Sequence, residues 1–83
     1  MQLVIDIGNT LIKSYVFEED QQIDFAAEPI TEWKSSLKEM LKRHAQIKMA
    51  MVADVNRSFS TELKVFLGKI KTLHCSMALK LPF

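Results

Sequence analysis

The stretch Val4-Ile5-Asp6-Ile7-Gly8-Asn9-Thr10 constrains this chain more than any other. A short apolar run meets an acid, a glycine and two small polar residues, and a second apolar stretch, Leu11 to Phe17, begins at once. That is a strand, a tight turn and a second strand. It delivers a carboxylate, a flexible backbone position and two hydrogen-bonding side chains together at the mouth of a buried strand. Such a set suits a magnesium-bound phosphate.

Each position has its own physical reason. The Asp6 carboxylate can hold a hydrated magnesium ion through its waters. Gly8 permits positive φ and lets backbone amides approach an anion that a Cβ would fend off. Asn9 and Thr10 can donate side-chain and backbone hydrogen bonds to phosphate oxygens. Lys13, three residues beyond Thr10, can add a mobile positive charge. A Walker loop needs Gly-Lys-Ser/Thr before a helix, and a dinucleotide fingerprint needs three glycines before a helix; here a strand follows, so neither applies. The plain alternative is a Gly-Asn hairpin turn whose Asp6 bonds nearby amides.

The rest of the chain reads as a small α/β unit. Gln2 to Ile7 is apolar enough for a strand buried on both faces. In Leu11 to Phe17, Leu11, Lys13, Tyr15 and Phe17 share one face, and Ile12, Ser14 and Val16 share the other. Glu18-Glu19-Asp20-Gln21 is a polar break, and Gln22 to Ala26 resumes the alternation. Glu28-Pro29-Ile30 ends the strands, and Thr31 is the expected N-cap of a helix with Glu32 in its first turn. Trp33, Leu37, Met40, Leu41 and His44 recur at helical spacing against a lysine-rich outer face. Ile47 to Val55 suggests an interior parallel strand, with a short buried helix as the alternative that periodicity alone leaves open. Ser58 is the expected cap of a second helix carrying Phe59, Leu63, Phe66, Leu67 and Ile70, with Gly68 at its C-terminal turn. Lys71 to His74 closes the series. The order strand-strand-strand-helix-strand-helix-strand makes a mixed sheet with helices against it. Its second face lacks helices to cover it.

Composition excludes several classes. The 83 residues allow one small domain at most, since domains usually need ~100–150 residues. Eleven basic against ten acidic residues leave a charge of +1, which argues against nucleic acid as a partner. No apolar run approaches the ~20 residues of a membrane span, and no basic region precedes the first apolar residues, so a membrane partner is not expected and a cytoplasmic location is. Cys75 stands alone, which rules out an internal disulfide. His44 and His74 lie thirty residues apart without a ligand spacing, so a helix-end dipole for His44 and strand burial for His74 are the expected settings. Ser35, Ser36, Ser58 and Ser60 fall at helix surfaces or starts and lack any nucleophile context.

Met1 to Thr10, with Lys13 following, resembles the N-terminus of the type III pantothenate kinases, members of the acetate/sugar kinase–Hsp70–actin superfamily. Met51-Val52-Ala53-Asp54-Val55 sits where that family commonly carries Val-Ser-Ser-Val. Leu79-Lys80-Leu81-Pro82-Phe83 looks like the segment before its pantothenate and catalytic region. The resemblance implies the opening half of a ribonuclease H-like, actin-like ATPase domain over residues 1–83. It also implies that Asp6 serves the Mg2+–phosphate assembly, that Gly8, Asn9 and Thr10 line the ATP phosphates, and that Lys13 lies close by. The implied reaction is transfer of the γ-phosphoryl of ATP to pantothenate, the first step toward coenzyme A. A monovalent cation (K+ or NH4+) and a homodimeric assembly come with the family. Its second phosphate motif, catalytic aspartate and Gly-x-Asp-Arg region match nothing in these 83 residues, so inactivity of this short chain is expected. Asp54 replaces a small neutral residue and adds negative charge near the site. A non-catalytic regulatory relative of accessory transcription factor type, or a structural fragment, are the alternatives.

Overall fold

In the computed structural model, which describes residues 1–54, 60–68 and 70–75, the elements follow the expected order. They are β1 (Gln2–Ile7), β2 (Leu11–Glu18), β3 (Gln21–Pro29), a 3-10 turn (Ile30–Glu32), α1 (Trp33–Arg43), β4 (Met49–Asp54), α2 (Ser60–Leu67) and β5 (Lys71–Cys75). The strands form one mixed sheet in the order β3-β2-β1-β4-β5. β1–β2 and β2–β3 pair antiparallel, while β1–β4 and β4–β5 pair parallel.

β1 lies at the centre and is buried on both faces, as its unbroken apolar run requires. Leu3, Ile5 and Ile7 join the core beneath the helices, and Val4, on the opposite face, is also buried. β2 supplies Ile12, Ser14 and Val16 to the helix-covered face, each fully buried. β4 is the expected interior parallel strand, with Ala50 and Val52 in the same core. Trp33, Leu37 and Met40 of α1 and Leu63 and Leu67 of α2 complete it. Both helices cover one face, since the rings of Trp33 and Phe66 meet edge to face at 5.5 Å.

The other face carries Tyr15 and Phe25, whose ring centroids lie 5.0 Å apart, and no helix covers it among the described residues. Leu11, Ile23 and Phe25 stay 43–46% exposed, the apolar surface that a one-layered sheet leaves open.

Three details depart from expectation. Thr31 does not cap α1. The Ile30 amide donates to the Thr10 carbonyl at 2.9 Å, which draws residues 30–32 into the 3-10 turn. Glu32 then occupies the N-cap without a side-chain bond, and Ser35 Oγ donates to its carbonyl at 3.0 Å. Ser36 is buried rather than on the helix surface. β3 runs to Pro29 instead of stopping at Ala26, with a bulge that leaves Ile23 unpaired opposite Val16 and Phe17. Gly68 does end α2: its φ is +59° and its amide donates to the Lys64 carbonyl. Ser58, Phe59 and the 79–83 segment lie outside the described residues, as do the side chains of Asp54, His74 and Cys75.

Candidate phosphate-binding turn

The turn between β1 and β2 is a two-residue connection. Gly8 donates its amide to the Leu11 carbonyl at 2.9 Å, Ile7 pairs with Ile12, and Asn9 and Thr10 form the exposed tip. Two-residue hairpins usually take a primed turn with positive φ. Here neither Asn9 nor Thr10 has positive φ, so the tip is not the ordinary Asn-Gly type of hairpin. The Ile30 amide braces the tip from outside through the Thr10 carbonyl.

Gly8 corrects the conformational argument made from the sequence. Its φ is not positive, and its amide is already spent on Leu11. A Cβ built there would meet only the Leu11 carbonyl oxygen, at an ordinary 3.5 Å. The fold therefore does not demand glycine at this position. What glycine still offers is an unobstructed approach for an anion.

Asp6 lies inside β1, one residue before its end, with Lys13 directly opposite on β2 and Ala53 alongside on β4. Both Asp6 and Lys13 are half-buried. They share the helix-free face, since Ile5 and Ile7 on either side of Asp6 enter the core. The ion pairs described lie elsewhere, at Asp24. Tyr15 pairs with Val4 and is thus the diagonal neighbour of Asp6 on this face. Burial, and then the Asp6 charge, push its phenol above the ordinary tyrosine range.

The turn thus brings Asp6, Gly8, Asn9, Thr10 and Lys13 to one end of the sheet. A single carboxylate beside an exposed polar tip fits a hydrated Mg2+, which binds through one or two carboxylates and the ligand's own phosphates. No group of three acidic, His or Cys side chains converges as a metal cage among the described residues. The Asp54 backbone pairs with Ile7, at the same end of the sheet.

Two features were not legible in the sequence. One is the brace from Ile30, a backbone contact that no side-chain pattern signals. The other is the partner of His44: its Nε2 lies 2.7 Å from Asp24 Oδ2, and Arg43 reaches the same oxygen at 3.1 Å. The expected dipole setting at the end of α1 is therefore joined by a direct contact to β3.

Comparison with known proteins bears on the fold and on overall likeness. Over its full 83 residues the chain is 30% identical to a type III pantothenate kinase from Flavobacterium psychrophilum. The likeness is to the type III pantothenate kinases. In structure it matches the Lmo2764 protein from Listeria monocytogenes, a proposed N-acetylmannosamine kinase, with a TM-score of 0.66 over 93% of this chain at 15% identity. That likeness shows the fold alone, an actin-like α/β architecture. The chain spans 34% of the pantothenate kinase and 35% of the Listeria protein. No family model matches the chain. No helix among the described residues is long and apolar enough to cross a membrane.

Proposed function

We propose that this chain is the ATP-phosphate-binding part of a type III pantothenate kinase-like phosphotransferase, whose acceptor is the primary hydroxyl of pantothenate. The observation that carries this reading is the exposed Asn9-Thr10 tip above the Asp6–Lys13 pair. Phosphoryl transfer asks little covalent chemistry of a protein and depends on positioning and charge. Thr10 and Asn9 donate hydrogen bonds to phosphate oxygens, and Lys13 offsets their charge. Gly8 leaves room for the phosphate to approach. Asp6 holds the waters of a Mg2+ ion, which when bound neutralises charge on the β- and γ-phosphates. A monovalent cation and a homo-oligomeric, cytoplasmic enzyme complete the reading by family likeness.

The 83 residues alone are expected to bind Mg2+–nucleotide without turning it over. Nuclear magnetic resonance titration with Mg2+ and a non-hydrolysable ATP analogue should shift the amides of residues 6–13. Asp6→Asn should abolish that response. Gly8→Ala separates fold from function: its stability should stay within about 0.5 kcal/mol of the parent, while nucleotide affinity falls. Shifts absent from residues 6–13 would sink the phosphate reading. Phosphopantothenate formed by this chain alone would overturn its inactivity. Sedimentation as a monomer at all concentrations would remove the homo-oligomer.

A further inference from the structure

Ile30 is bonded in two directions through its main chain. Its amide donates to the Thr10 carbonyl at 2.9 Å, and its carbonyl accepts from the Trp33 amide at the entry of α1. The first bond continues the β2–β3 register one residue past the Leu11–Pro29 pair, and so reaches the tip of the turn itself. The Ile30 side chain is half-buried against the core, and Trp33 is buried within it. One residue thus joins an exposed tip to an element anchored in the interior.

That link has a consequence for binding. A tip held only by its own strands can swing about the Gly8–Leu11 closure. The bond from Ile30 fixes the Thr10 carbonyl on the β3 side. The Thr10 amide donates in none of the described backbone hydrogen bonds of turns and loops, and the residue is exposed. Its amide and hydroxyl are therefore held outward while its carbonyl is anchored. A tip fixed before a ligand arrives loses less freedom on binding, which raises affinity. Such coupling is reciprocal: a ligand that favours the held tip must strengthen the Ile30 bond in return.

We propose that Ile30 is a positioning residue for the phosphate turn, its main chain coupling nucleotide binding at Asn9 and Thr10 to the entry of α1. This rests on the reading of the turn as a nucleotide site, and adds the β3–α1 junction as a second element that sets its affinity. Ile30 acts through the Thr10 carbonyl and not on the ligand. No covalent step is involved.

Ile30→Pro tests it, because proline deletes the N–H at little backbone cost. Pro29, at φ −56° and ψ 143°, already has the extended conformation required before a proline, and Ile30 opens the 3-10 turn, a position that suits one. Ile30→Ala is the comparison, since it keeps the N–H and removes more of the side chain. Nuclear magnetic resonance titration with Mg2+ and a non-hydrolysable ATP analogue, read at the amides of residues 6–13, gives the affinities. Ile30→Pro should bind about three- to tenfold more weakly, the range of one net hydrogen bond. Ile30→Ala should lose less than about twofold despite a lower thermal midpoint, because the bond is kept. A merely structural residue would not give that split. The parent chain supplies an arm that needs no variant. At saturation, hydrogen exchange should slow more at the Ile30 amide than at the Gly68 amide, which is bonded to the Lys64 carbonyl at the end of α2. Equal affinities in the two variants, or equal slowing at Ile30 and Gly68, would overturn the positioning role and leave the nucleotide reading intact. No response at residues 6–13 of the parent would instead remove the nucleotide reading and the positioning role with it.

Discussion

Ser14 lies on β2 with no exposure, and its Oγ finds no hydrogen-bond partner among the described residues. A buried hydroxyl left unsatisfied costs about 1–3 kcal/mol, so Ser14→Ala should stabilise the chain, by about 1 kcal/mol in chemical denaturation. Asp24 presents the opposite case. The hydrogen bond from His44 is the main cause that holds its carboxyl below the usual range, and the Phe25 amide and Arg43 add to it. Its contribution is therefore complete above the unfolded carboxyl value of about 3.9 and is lost as pH falls through the lower folded value. Arg43 is 52% exposed, which tempers the magnitude. A double-mutant cycle over Asp24→Asn and His44→Gln should report about 0.5–1 kcal/mol at neutral pH, vanishing in acid. Tyr15, the sole tyrosine, allows a direct optical check of the site face. Asp6→Asn should lower its phenol pKa, read by ultraviolet titration, but not restore the ordinary value, because burial is the larger cause.

Among the elements, β1, β2 and β4 follow directly from apolar run and alternation, and Gly68 ends α2 as its position suggests. Its φ of +59° suits glycine, and a Cβ there would meet nothing within 4 Å. Gly68→Ala should therefore cost about 1 kcal/mol through backbone strain alone, seen as a lower thermal midpoint. The start of α1 was not legible, because Thr31 has the chemistry of a cap but Ile30 is already bonded to the Thr10 carbonyl. A local propensity yielded to a contact from twenty residues away. The same contact fastens the candidate phosphate turn to the entry of α1, so the turn rests on more than its own two strands.

For the molecule as a whole, stability rests on one layer of core between the sheet and two helices. Leu37 is fully buried at the centre of that layer. Leu37→Ala should cost about 2–5 kcal/mol, a large share of what so small a domain can hold; urea denaturation would measure it. The sequence by itself determined the strand and helix order, the mixed sheet and the position of the turn between β1 and β2, because apolar periodicity and turn chemistry are written in neighbouring residues. Only the tertiary structure decided that Asp6 faces Lys13 across the strands, that Ile30 braces Thr10, that Gly8 is free of conformational demand, and that Asp24 meets His44 and Arg43. Each of these depends on register or on segments far apart in the chain, and pairing geometry exists only once the sheet has closed.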